Sequence, residues 1–238
     1  MARQAGQPVP VRRREVALSG ALMLGGFALN AVVTMAFHPS EEEGDREAIF
    51  AEYADSGAWV AIHLGQFAGV LLGLAGLFVL ARAMRPEAPH LAAFAAAGAV
   101  ITAATWTVAQ AVDGVALKHA VDAWVDASRP EEASRFASAE SVLWTDWGVQ
   151  SYFRVLYALT LTLLGVAVAL SRLFAAWLGW VAVAAGVLSL AIGIDIGYRG
   201  LESGFHDLAD VGYQLLALVF VVGILVTELR FRAPAASR

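Results

Sequence analysis

A histidine and two aspartates stand at the mouth of an apolar run near the C-terminus. The segment GFHDLADVGYQLL, residues 204–216, places His206 and Asp210 four residues apart, so both side chains lie on one face of a helix. Imidazole and carboxylate groups at this spacing can share a metal ion such as zinc. In a membrane such groups are costly and are usually kept for a function. The chemistry therefore depends on whether this helix lies in water or in lipid.

Similar polar stripes occur in other apolar segments, mostly at four-residue spacing. We predict that these side chains line a common pocket, because polar groups at membrane depth turn toward the interior of a helix bundle. Besides His206 and Asp210, the candidate residues are His63, Gln66, Trp106, Gln110, Asp113, Asp146, Gln150, Arg154, Asp195, Tyr198, Tyr213 and Gln214. Arg154 is expected to pair with Asp113, Asp195 or Asp210.

Two kinds of catalysis are compatible with these residues. With His63, His206 and Asp210 as ligands, a divalent ion such as zinc could activate water against a lipid-borne ester or amide, although the HExxH signature is absent. Without a metal, carboxyl groups in an apolar pocket could protonate an isoprenoid chain for cyclisation or isomerisation. In that hypothesis Asp113, Asp195 and Asp210 are the catalytic acids, and Trp106 and Tyr213 face the cationic intermediate.

A third hypothesis needs no activated group, because the pocket could simply bind a small molecule or a lipid. Several other functions are disfavoured. The chain has no cysteine, which excludes disulfides and thiol catalysis. Nucleotide-binding and Ser-His-Asp signatures are absent, and nothing in the sequence indicates nucleic-acid binding. A channel would need polar groups through the full depth of the membrane.

Composition places these stripes in lipid. Hydrophobic residues make up 59% of the 238 residues and charged residues only 16%, whereas soluble domains carry roughly 25% charged residues. Six uncharged stretches are each close to the roughly 17–25 residues that a helix needs to cross a bilayer. They run from 16 to 37, 56 to 81, 91 to 112, 155 to 171, 173 to 194 and 211 to 227. We therefore predict an all-α, polytopic membrane protein with six transmembrane helices.

The distribution of charge predicts the orientation. Lys and Arg are enriched in cytoplasmic loops, and ten of the 16 fall on the cytoplasmic side when both termini are placed there. The predicted organisation is a basic cytoplasmic segment at residues 1–15, a transmembrane domain at 16–229 and a cytoplasmic tail at 230–238, in a bacterial inner membrane. The polar stripes then lie in the outer halves of the helices. They predict a chamber that opens outward above an apolar plug.

The longest outer connection, residues 113–147, contains two amphipathic stretches. AVDAWVDA and SRFASAESVLW carry apolar residues at helical spacing, and Pro130 separates them. We predict two short amphipathic helices that form a hairpin over the outer surface. Gly65, Gly69 and Gly73 also recur at four-residue steps, which predicts close approach of another helix.

The layout resembles a domain-of-unknown-function family of bacterial six-helix membrane proteins. The similarity rests on the SGALMLGGFALN start of the first span, the long loop before the fourth, and AAWLGWVAVAAGVLSL in the fifth. It covers most of residues 16–229. The acidic stretch at 41–45 and the HDLAD segment are not part of it. The resemblance implies a six-helix fold and no particular activity.

Overall fold

The computed structural model describes residues 9–38 and 45–232. The start of the basic N-terminal segment, residues 41–44 of the acidic stretch and most of the predicted C-terminal tail lie outside the described residues. Within these ranges the chain forms eight α-helices and no β-strand. They are α1 (Val9–Phe37), α2 (Arg46–Asp55), α3 (Trp59–Met84), α4 (Pro89–Ala111), α5 (Lys118–Val125), α6 (Glu132–Leu170), α7 (Ala176–Arg199) and α8 (Gly204–Arg232), and a π-helical segment (Val112–Leu117) joins α4 to α5.

Six of these helices are long and apolar enough to cross a membrane, namely α1, α3, α4, α6, α7 and α8. The predicted number of candidate spans is therefore confirmed. Their ends follow local sequence rules. Pro89 occupies the start of α4, where its missing N–H costs nothing. Gly200 ends α7 with φ 75°, a conformation that favours glycine.

The six long helices form a closed ring. Each contacts the next one along the chain, in the order α1, α3, α4, α6, α7 and α8, and α8 contacts α1. A ring of this kind directs one face of every helix toward a common centre. It therefore gathers polar stripes that are far apart in sequence.

Two glycine contacts tighten the ring. A Cβ atom built on Gly69 would lie 2.8 Å from the backbone nitrogen of Asn30, and one on Gly165 would lie 2.7 Å from the carbonyl oxygen of Gly179. The α1–α3 and α6–α7 pairs therefore meet backbone to backbone. The first contact lies on the glycine face predicted from the spacing along α3.

One end of the ring carries extra helical structure, which we call the cap: α2, α5 and the first three turns of α6. An aromatic cluster holds it together, with the Phe50 ring 6.0 Å from Trp124 and 5.5 Å from Phe136. The Lys118 ammonium group donates to the Ala54 carbonyl at 2.7 Å. The cap therefore packs as one layer over the end of the bundle.

The cap differs from the predicted hairpin of two short helices. The AVDAWVDA stretch does contain the short helix α5, but SRFASAESVLW is the beginning of the 39-residue helix α6. No proline stands between this stretch and the apolar run, because Pro130 precedes both, so the helix can continue from one into the other. The second short helix of the cap is instead α2, which Asp45 caps by accepting from the N–H groups of Glu47 and Ala48.

Candidate site: a two-part cavity inside the ring

The ring encloses two adjoining cavities. The polar chamber lies beneath the cap and has a volume of about 250 Å³. The apolar cavity lies deeper in the bundle and has a volume of about 180 Å³, somewhat more than the ~150 Å³ cavity that holds benzene in an engineered protein. Five residues line both cavities, namely Asn30, Trp106, Gln150, Arg154 and Gln214. The two spaces therefore share a boundary of polar side chains.

Ten of the 14 predicted site residues lie on the wall of the polar chamber. They are Gln66, Trp106, Gln110, Asp113, Asp146, Gln150, Arg154, His206, Asp210 and Gln214. The stripes on α3, α4, α6 and α8 thus meet in space, and Asn30 and Thr34 of α1 join them. The residues of the set outside the chamber are His63, Asp195, Tyr198 and Tyr213.

His63 is buried behind the chamber wall and is held between two hydrogen-bond acceptors. Its Nδ1 lies 2.8 Å from the Trp59 carbonyl oxygen, and its Nε2 lies 3.0 Å from Oδ2 of Asp113. A carbonyl oxygen can only accept, so Nδ1 carries a hydrogen. The contact with Asp113 needs a second proton, on Nε2 or on the carboxyl group. The pair therefore holds one proton more than a neutral imidazole and a carboxylate would.

The π-helical segment explains how Asp113 reaches His63. Asp113 is its second residue, and the wider turn displaces the backbone from a regular α-helical path. The Asp113 carbonyl accepts from the Trp59 indole N–H at 3.1 Å. The next residue is Gly114, where a Cβ would lie 2.6 Å from Cβ of His63. A segment with glycine at this point lets α4 approach α3 closely enough for the pair to form.

Arg154 pairs with Asp210, one of the three partners the sequence allows. A guanidinium nitrogen lies 2.7 Å from Oδ1 of Asp210, and the guanidinium group stacks over the Tyr213 ring at 5.1 Å. Asp210 also accepts from Gln214 at 3.3 Å. Small residues of α7 pack closely beside Arg154: Ser189 donates to the Arg154 carbonyl, and a Cβ on Gly193 would lie 2.9 Å from Cβ of Arg154. The pair joins α6 to α8 across the boundary of the two cavities.

Connecting segments supply chamber residues that the sequence reasoning missed. Arg46 in α2 forms a bidentate ion pair with Glu202, which follows α7. Its two guanidinium nitrogens lie 2.6 and 3.2 Å from the two carboxylate oxygens. The Arg46 guanidinium also lies 5.0 Å from the Trp147 ring. Arg46 and Glu202 lie outside the apolar runs, so no helical periodicity marks them. Their opposite charges and their positions at helix ends were the only available signals.

Three of the predicted site residues are placed elsewhere. Asp195 does not line the chamber: it accepts from the Ser203 hydroxyl and lies 3.6 Å from Arg199. It thus supports Ser203, which caps α8 by accepting from the His206 N–H. Tyr198 is 84% exposed on the outside of α7, so the prediction that it is a pocket residue is wrong. Tyr213 lines the apolar cavity only.

The predicted metal ligands are not gathered into one site. Within residues 9–38 and 45–232, no three His, Asp or Glu side chains are grouped so that they could hold a metal ion. His63 already uses both ring nitrogens, and Asp210 is paired with Arg154. The proposed set of His63, His206 and Asp210 is corrected accordingly.

The expected apolar plug below the chamber contains a cavity instead. Its wall comes from all six long helices and includes Leu74, Leu77, Leu161, Phe220 and Val221. Alanines at positions 182 and 185 of α7 leave space opposite these larger side chains. A separate lateral groove of about 180 Å³ runs between α3 and α4 and passes His63 and Gln110. Apolar composition alone could not show that this level of the bundle is hollow.

No family model matches the chain, and no curated protein or solved structure matches it either. Fold and site therefore define its class. It is a helical protein with six candidate membrane spans and a central cavity that is polar at one end and apolar at the other. The resemblance to a six-helix bacterial family remains a prediction.

Proposed function

We propose that this chain is a membrane-embedded binding protein for a small amphiphile, such as a lipid or an isoprenoid. The polar head would occupy the polar chamber, and the apolar chain would occupy the apolar cavity. The observation that carries this proposal is that the two cavities share five wall residues inside one closed ring. Ligand sites commonly combine an apolar lining with a few polar groups that fix orientation.

Binding fits the side chains better than catalysis by a carboxyl group. Asp113 is engaged by His63, Asp195 by Ser203 and Arg199, and Asp210 by Arg154. Protonating a substrate would require breaking one of these contacts. A binder needs only the shape and the polarity of the cavity. We therefore advance neither the cyclase nor the metal hydrolase as a function.

The proposal predicts that filling the apolar cavity removes the ligand. Ala185 lines this cavity and is 1% exposed, so Ala185→Phe would occupy space needed by the chain of an amphiphile. Excluding two CH₂ groups of the ligand from the cavity costs ~1.6 kcal/mol, which corresponds to a slightly more than tenfold loss of affinity. We expect native mass spectrometry of the protein purified from its membrane to show a bound amphiphile, and the variant to retain at least about tenfold less.

Val187→Phe provides the matched control. Val187 lies two residues further along α7 and is 60% exposed on the outside of the ring. This variant should keep the bound amphiphile. The proposal would be contradicted if the wild-type protein carried no bound amphiphile, or if both variants lost the amphiphile to the same extent.

We also propose that both termini are cytoplasmic and that the cap lies on the outer side of the cell membrane. The moderate excess of Lys and Arg at the opposite end supports this orientation. Because the chain has no cysteine, single cysteines report accessibility without background. A membrane-impermeant maleimide should label Ser138→Cys in the cap on intact cells. It should label Arg85→Cys, between α3 and α4, only after permeabilisation, and the reverse pattern would overturn the orientation.

A further inference from the structure

Two residues of α4 that line the polar chamber each carry a buried polar atom without a hydrogen-bond partner among the described residues. These atoms are Nε1 of Trp106 and Oε1 of Gln110, and both side chains are 8% exposed. Buried polar groups are normally hydrogen-bonded. The residues lie four apart, on one face of the helix. This face of α4 thus offers one unmet donor and one unmet acceptor, one helical turn apart.

Most of the charged groups on the chamber wall are already matched. Arg46 pairs with Glu202, Arg154 pairs with Asp210, and Asp113 pairs with His63. The remaining carboxylate, that of Asp146, accepts from Gln150 at 3.0 Å. The buried Nδ1 of His206, also on the chamber wall, makes no hydrogen bond within the described residues but lies 3.5 Å from Oδ1 of Asp207. A ligand therefore has no need to bring a charge, and the two unmet groups on α4 are both neutral.

We propose that the ligand is a neutral amphiphile whose head is a hydroxyl group held between Trp106 and Gln110. This inference rests on the proposed function. A hydroxyl group accepts and donates at the same time, so one oxygen atom can accept from the Trp106 indole and donate to the Gln110 amide. Trp106 lines both cavities. An alcohol bound there extends its chain directly into the apolar cavity.

A ligand series with one chain length tests the head group. The probes are 1-octanol, methyl octyl ether, octanoate and octyltrimethylammonium, titrated into the protein in phosphatidylcholine nanodiscs, with the signal from empty nanodiscs subtracted. The ether accepts a hydrogen bond but cannot donate one. We expect 1-octanol to bind about three- to tenfold more tightly than the ether, the effect of one net hydrogen bond. Both charged probes should bind more weakly than 1-octanol.

Two variants separate the contributions of the donor and the acceptor. Gln110→Met keeps the length of the side chain but removes the acceptor, so 1-octanol should bind no better than the ether. Trp106→Phe removes the donor and should weaken both probes by a similar factor. Thr105→Val is the control, because its hydroxyl bonds only to the Ile101 carbonyl of its own helix. It should change neither affinity.

The outcomes distinguish this inference from the function beneath it. Ether, octanoate or octyltrimethylammonium binding as tightly as 1-octanol would overturn the hydroxyl head, while dependence on Ala185 would still support an amphiphile site. An octanol preference that persists in Gln110→Met would also overturn it. If no probe binds the wild type more than it binds Ala185→Phe, both proposals fail.

Discussion

Replacing His63 with leucine is expected to lower the free energy of unfolding by about 2–4 kcal/mol. Removing one partner of a buried ion pair typically costs about 3–5 kcal/mol because the other charge stays behind. The lower range applies here because the carboxylate of Asp113 is 15% exposed toward the chamber. The substitution also leaves the Trp59 carbonyl without its ring donor. Thermal or denaturant unfolding in a mild detergent measures the change.

A double variant and an exposed histidine provide the controls. His63→Leu combined with Asp113→Leu removes the stranded charge, so it should be more stable than His63→Leu alone. His90→Leu makes the same substitution at an exposed position at the start of α4. It should change stability by no more than about 0.5 kcal/mol. Equal losses for His63→Leu and His90→Leu would show that the pair contributes nothing.

Gly179→Ala is expected to destabilise the protein by about 3 kcal/mol or more, although it adds only one methyl group. A Cβ at this position would meet the backbone nitrogen of Ala169 and the carbonyl oxygen of Gly165. Backbone atoms cannot rotate away as side chains do, so α6 and α7 would have to separate. Overpacking costs typically about 1–3 kcal/mol where side chains can adjust. The measurement is the melting temperature and the yield of monodisperse protein.

Gly25→Ala is the matched control, because nothing lies within 4 Å of a Cβ at that position. Alanine is more favourable than glycine in a helix by roughly 0.5–1 kcal/mol, so this variant should be neutral or slightly stabilised. The two substitutions have identical chemistry and opposite expected signs. If Gly179→Ala is tolerated as well as Gly25→Ala, α6 and α7 do not meet at backbone distance.

The six long helices could be predicted from sequence because the hydrocarbon core imposes length and polarity on every crossing segment. The meeting of their polar stripes followed from the same constraint, which turns ionisable side chains inward. The sequence did not show which of the three aspartates pairs with Arg154. That choice depends on the order of the helices in the ring, which places Asp210 of α8 within reach of the Arg154 side chain of α6.

Contacts between segments distant in the chain account for the remaining errors. Tyr198 follows Asp195 at helical spacing, yet both lie near the end of α7, where no neighbouring helix covers Tyr198. The apolar cavity depends on alanine on one wall facing leucine and phenylalanine on others. A hydropathy pattern records only that these residues are apolar. It holds no information on the volume that remains between them.

The continuity of the helical path from Pro89 to Val125 has a structural consequence. This path is 37 residues long, or roughly 55 Å at 1.5 Å per residue, and the π-helical turn lies within it. The π-helical turn that holds Asp113 therefore joins the membrane-length helix α4 to the cap helix α5 without a break in helical structure. The carboxylate that contacts His63 therefore lies at the junction between the α4 part and the α5 part of one continuous helical path.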